Sequence, residues 1–180
     1  MRRQSVLVGV LVVGALTAPS MAVAQWPVTI GVAGGLTPTS GRNTRRFAYP
    51  SGAHAQISVE HAQVFGRLGI RADVFVNSFT RPAWLTGQGL SRRTSVPGAS
   101  MSLVLPLSAS ATRVRPYLIA GAGTYRTDLG TGSESAFGLS GGGGLEVGSG
   151  RLRPYFEMRL HRIYDGGTPD LIPLTVGLRF

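Results

Sequence analysis

From Ile172 to the end of the chain, apolar residues fall at every second position. Ile172, Leu174, Val176, Leu178 and Phe180 share one face of an extended strand, and Pro173, Thr175, Gly177 and Arg179 share the other. This period-2 pattern recurs roughly eight times, over residues 26–36, 52–60, 66–77, 98–107, 113–125, 136–147, 151–163 and 171–180. A chain that repeats it this often, with turn-forming residues between the repeats, is constrained to an antiparallel sheet. Glycine (26 of 180 residues) is spread through these segments rather than gathered in a linker, and no coiled-coil pattern or charged tail interrupts them.

The amino-terminus reads as an export signal. Arg2 and Arg3 form a basic region, Val6 to Leu16 an apolar run, and Ala22-Val23-Ala24 a small-residue cleavage site before Gln25. That run is shorter than the ~20 residues of a spanning helix. Removing residues 1–24 from 180 leaves 156, enough for one domain, expected over residues 25–180. No other run reaches the length of a membrane helix. The absence of cysteine excludes disulfides, thiol chemistry and a lipidated cysteine. All 18 basic residues are arginine, and the net charge is +10. Arginine pairs with carboxylates and phosphates in two-point geometry. For an exported chain the anionic neighbour expected is a lipid headgroup, not nucleic acid.

An internal repeat sets the phase. Arg113-Val-Arg-Pro-Tyr117 returns as Arg151-Leu-Arg-Pro-Tyr155, so both copies open strands that run the same way. After the second copy, Phe156, Met158 and Leu160 alternate with Glu157, Arg159 and His161; the same phase puts Leu118, Ala120 and Ala122 on the apolar face of the first. The gaps after odd strands are about 15, 20, 10 and 7 residues and those after even strands about 3–5, as in barrels with short turns at one rim and long loops at the other. The segments 37–51 and 78–97, rich in Gly, Pro, Ser, Thr and Arg, are assigned no internal structure.

A soluble barrel alternates too, with its apolar face inward. Here the apolar face (Val28, Ile30, Ile57, Val74, Met101, Leu103, Leu139 and others) carries no charge except Arg162 near a rim. A basic residue there at mid-depth would cost about 2–4 kcal/mol in a bilayer. The opposite face carries Gly31, Gly35, Gly69, Gly121, Gly123, Gly142 and Gly144, which suit a crowded interior. Trp26, Phe137, Phe156, Tyr164 and Phe180 stand near strand ends as candidate interfacial aromatics. The reading is therefore all-β: an antiparallel, up-and-down, eight-stranded transmembrane β-barrel.

The strand pattern, the Pro-Tyr strand openings and a closing strand that stops on an aromatic carboxy-terminus resemble the small eight-stranded outer-membrane β-barrel family, the OmpA/OmpX-like superfamily, over the whole mature sequence. The resemblance implies the outer membrane of a Gram-negative-type bacterium, long loops at the cell exterior, and recognition by the barrel-assembly machinery through the strand ending in Phe180. The chain ends at the eighth strand, so the cell-wall-binding domain of some members is not expected.

Inward charges on this register are Glu60, Arg67, Arg71, Asp73, Glu146, Arg153, Glu157, Arg159 and Arg179. Five positive and four negative charges in so narrow an interior predict a paired network that plugs it. Glu146, Arg153 and Arg179 fall near the periplasmic mouth, and Arg71, Asp73, Glu157 and Arg159 near the middle. A gated narrow pore is the alternative. Arg159 to Pro169 is loosely similar to the last hairpin of the outer-membrane lipid A deacylases, which use a histidine with a serine two residues on. After His161 that position is Ile163, so the nucleophile is missing; such an enzyme would need Ser91 or Ser95 to approach His161. No catalytic residue, cofactor or metal is assigned, His54 and His61 being isolated.

The first two exterior loops hold Arg42, Arg45, Arg46, Arg81, Arg92 and Arg93 with no acid, whereas the last two hold Asp128, Glu134, Asp165 and Asp170 against Arg126. The arginines fit phosphates of surface lipopolysaccharide or a polyanionic ligand, and they fit equally a solvated loop with no ligand. The functional expectation is non-enzymatic: a structural or surface-interaction protein with a plugged interior.

Overall fold

In a computed structural model the chain forms strands β1 (Val28–Ser40), β2 (Ser51–Phe65), β3 (Leu68–Thr80), β4 (Arg93–Pro106), β5 (Val114–Asp128), β6 (Ser133–Val147), β7 (Arg153–Ile163), β8 (Asp170–Leu171) and β9 (Leu174–Arg179). The structure describes residues 28–40, 51–80, 93–108, 113–128, 133–148, 150–164 and 169–180. Each strand pairs antiparallel with the next, and β8 and β9 together fill the gap between β7 and β1. The result is an up-and-down, all-β barrel of eight staves. Closure leaves no free sheet edge.

The expected strands are all present, with ends that differ from expectation. The segments read as loops are shorter: β1 runs on to Ser40, β3 to Thr80, and β4 begins at Arg93. Beyond the apolar band a ladder needs no apolar alternation to persist. Polar and aromatic side chains hold it from inside, as where the Thr37 hydroxyl donates to Asn77 Oδ1 at 2.7 Å and Phe79 is buried. The last stave, read as one strand, is broken at Ile172–Pro173. Its wall stays bonded there: Ile172 N donates to Pro38 O (2.9 Å) and Arg159 N to Pro173 O (3.2 Å). β2 continues past Glu60 through a bulge between His61 and Phe65, with Gln63 at φ 59°, then turns at Gly66 (φ 64°), a backbone conformation that favours glycine.

Every second side chain faces out, and those at mid-height are apolar: Ile57, Val74, Met101 and Val176 are each more than half exposed. The uncharged band predicted from sequence circles the barrel as one continuous apolar surface, far larger than soluble monomers tolerate. Phe137 and Tyr164 stack at one rim (6.4 Å between centroids), and Phe65 and Phe180 stand exposed at the other. The segments 41–50, 81–92, 129–132 and 164–169 join strands at one rim, called here the long-loop rim; the opposite, short-turn rim holds the turn at Gly66-Arg67.

Candidate functional site: the lumen and its mouths

Alternation turns Arg71 and Asp73 of β3, and Glu157 and Arg159 of β7, towards the axis. With eight staves, β3 and β7 are diametrically opposed. Long side chains from the two walls therefore meet in the middle. Arg71 Nη1 and Nη2 donate to Glu157 Oε2 and Oε1 at 2.8 and 2.9 Å, and Arg71 Nε to Asp73 Oδ1 at 2.7 Å. Arg159 Nε donates to Glu157 Oε1 at 2.7 Å and Arg159 Nη1 to Asp73 Oδ2 at 3.0 Å. The four charges thus form a closed ring of alternating sign, all 3% exposed or less. The Tyr117 hydroxyl adds a 2.6 Å hydrogen bond to Glu157. Two-point arginine–carboxylate geometry is the arrangement that best offsets charge burial.

Room for this ring comes from glycine on the intervening staves. A Cβ on Gly144 would collide with the Tyr117 hydroxyl, and one on Gly142 would meet the β7 backbone. Small residues on β5 and β6 face the large ones that cross from β3 and β7.

Towards the long-loop rim the ring gives way to an apolar and aromatic layer not foreseen from sequence. Phe75, Phe79, Val96, Tyr125, Ala136, Ile163 and Leu171 pack together. His161 lies beneath it, buried, with Nδ1 2.7 Å from the Tyr125 hydroxyl and its ring edge-on to Phe75 (5.3 Å). His54, read as isolated, is also inside, with Nδ1 2.8 Å from Asn77 Oδ1. Alternation does place Phe75 and His54 inward; it does not say that they converge.

At the short-turn mouth, Arg179 Nη1 contacts Glu146 (3.0 Å) and Glu60 (3.3 Å). Its guanidinium lies over the rings of Tyr117 (4.8 Å) and Tyr155 (4.6 Å). Arg153 Nε stands 3.3 Å from Glu146, and Arg115, absent from the inward charges named above, also pairs with Glu146. Arg115 shares the face of Tyr117 two residues on, a signal the alternation already contained. Arg67, counted with the lumen charges, sits exposed in the turn after β2, because β3 begins only at Leu68. It lines a cavity of about 190 Å³ at this mouth, together with Glu60, Arg115, Glu146, Arg153 and Arg179.

Arg42, Arg45, Arg46, Arg81 and Arg92 lie outside the described residues, as do Trp26, Ser91, Asp165 and residues 1–24. Arg93, read as a loop residue, opens β4 and is exposed at the long-loop rim. Asp128, Glu134 and Asp170 belong to strands rather than loops, and Asp170 pairs with Arg162 at 3.0 Å. Ser95 faces outward on β4, away from the lumen where His161 lies, and Ile163 joins the apolar layer. Among the described residues no three His, Asp or Glu side chains converge as a cation site.

No protein-family model matches the chain, and no curated protein resembles it at the level of sequence. Solved structures do match. Neisserial surface protein A superposes with a TM-score of 0.59 at 15% identity, covering 85% of this chain and 96% of that one. The N-terminal β-barrel domain of Pseudomonas aeruginosa OprF gives 0.54 at 14%, covering 87% and 98%. A major outer membrane protein from Thermus thermophilus gives 0.54 at 12%, covering 85% and 98%. At these identities the likeness is one of fold: the chain has the fold of the small eight-stranded outer-membrane β-barrels.

Proposed function

We propose that the chain is a non-enzymatic protein of the outer membrane of a Gram-negative-type bacterium, exported by residues 1–24 and working through its exterior rim. The observation that carries this reading is the division of chemistry across the wall. Outside is an uncharged apolar band, and inside a neutral ring of paired charges beneath an aromatic layer. Such a lumen braces the wall and leaves no standing channel, which confines recognition to the rims. Surface and outer-membrane proteins among the structural neighbours support the location.

In the orientation of such barrels the long-loop rim is exterior. Its arginines (Arg42, Arg45, Arg46, Arg81, Arg92 and Arg93) would engage phosphates of lipopolysaccharide, while the closing strand to Phe180 serves assembly by the barrel-assembly machinery. His161 serves packing here rather than hydrolysis: its ring nitrogen faces the Tyr125 phenol, and Ile163 occupies the place of a nucleophile. The test is binding of lipopolysaccharide to protein folded in neutral detergent. Native lipopolysaccharide should bind more tightly than dephosphorylated material, and replacing the six arginines by glutamine should abolish the difference. Equal binding of both lipids by the unaltered protein would defeat the proposed contact.

A further inference from the structure

The short-turn mouth carries more positive charge than its own carboxylates balance. The 190 Å³ cavity there is lined by four arginines (Arg67, Arg115, Arg153 and Arg179) and two glutamates (Glu60 and Glu146). Arg67 has no ion pair among the described residues. The arginines that are paired remain under-satisfied. Nε of Arg115 and of Arg179 is buried without a hydrogen-bond partner, as is Nη2 of Arg179, and Arg153 Nε makes only the 3.3 Å ion-pair contact with Glu146. Arg179 Nη2 lies 3.9 Å from Glu157 Oε2, outside hydrogen-bond range, although its side chain is only 5% exposed. Buried donors of this kind are costly unless something accepts from them.

We propose that this mouth binds a phosphate-type oxyanion. Three features fit that ligand rather than water alone. The excess charge is positive, the unsatisfied atoms other than Glu60 Oε2 are guanidinium N–H groups, whose fork suits tetrahedral oxyanions, and the space holds a small polyatomic ion. Contacts with the Tyr117 and Tyr155 rings hold the Arg179 guanidinium, so the cation stays in place as the anion comes and goes. The deeper ring of Arg71, Asp73, Glu157 and Arg159 is closed by ion pairs and neutral, although Arg159 Nη2 has no hydrogen-bond partner there. An anion therefore has reason to stop at the mouth. Phosphate could come from solution or from the headgroup of a neighbouring lipid, and the chemistry of the site is the same for both.

The experiment uses protein folded in a neutral glycoside detergent with ¹⁵N-labelled arginine, titrated with sodium phosphate or chloride at constant ionic strength. Phosphate should move the Nε–H resonances of Arg115, Arg153 and Arg179 saturably while leaving Arg71, bonded to Asp73, in place. The doubly substituted Arg67→Gln/Arg115→Gln protein keeps Arg179 and the deeper ring, so its unchanged Arg71 resonance reports folding. Its phosphate affinity should fall at least about tenfold, the loss expected of charge-assisted hydrogen bonds. Nanodiscs of phosphatidylcholine with and without phosphatidic acid, free of inorganic phosphate, identify the source. Shifts with phosphatidic acid alone assign the site to a headgroup, and shifts only with added phosphate assign it to a soluble ligand. Resonances that respond identically to phosphate and chloride, and to neither lipid, would overturn the proposal.

Discussion

Arg71 and Glu157 stand on opposite walls of the barrel and meet in a two-point ion pair, at 2.8 and 2.9 Å, across the middle of the lumen. Eighty-six residues separate them in sequence. The contact is a crossbrace: it holds β3 to β7, which share no backbone ladder. It also places charge where water or ions would otherwise pass.

Breaking the brace on one side should cost more than removing it. Glu157→Ala leaves Arg71, Arg159 and Tyr117 short of their shared acceptor and should destabilise the barrel by about 3–5 kcal/mol. In Arg71→Met/Glu157→Met the Arg159–Asp73 pair survives and the ring stays neutral, so the loss should be smaller. Urea unfolding in lipid vesicles measures both. A double substitution as damaging as the single one would show that Arg71–Glu157 pairing is not what the ring contributes.

The same ring predicts electrical silence. Purified protein in planar bilayers should give no steady conductance, and Glu157→Ala should not open one, because the aromatic layer of Phe75, Phe79 and Tyr125 still closes the other half of the lumen. Stepwise ion currents from the unaltered protein would favour a pore.

Gly144 is a sharp test of interior packing. A methyl group there would press on the Tyr117 hydroxyl and on the Phe156 carbonyl, so Gly144→Ala should cost about 1–3 kcal/mol. Gly141, whose Cβ would meet nothing within 4 Å, is the control. Equal effects at the two positions would contradict the assigned register.

His161 separates packing from catalysis. His161→Ala should leave the acylation of lipid A unchanged while destabilising the barrel by about 1–3 kcal/mol, because the Tyr125 hydroxyl loses its partner in a buried site. A changed lipid A acylation pattern, read by mass spectrometry, would restore the enzymatic alternative.

These contrasts follow what alternation can and cannot encode. Period 2 gives the face of each strand, so the inward placement of Arg71, Asp73, Glu157 and Arg159 was legible, as was the uncharged outer band. The near balance of inward charges pointed to pairing, and the repeat at Arg113 and Arg151 fixed a phase that Leu118 alone would not. The facing partner is another matter. That His161 meets Tyr125 and Phe75 depends on stagger around the closed barrel, which no single strand carries. Strand ends beyond the band were hidden because Thr37, Asn77 and Phe79 continue the ladder without apolar alternation. The bulge at Gln63 left no mark in a run of polar and apolar residues already out of phase.

The most direct measurement is migration on detergent gels of the outer-membrane fraction, with and without heating. An embedded barrel of this kind should give a compact, fast-migrating band in the unheated sample that shifts to the unfolded position on boiling, and should remain with the membrane pellet. A single band insensitive to heat, recovered in the soluble periplasmic fraction, would contradict the account.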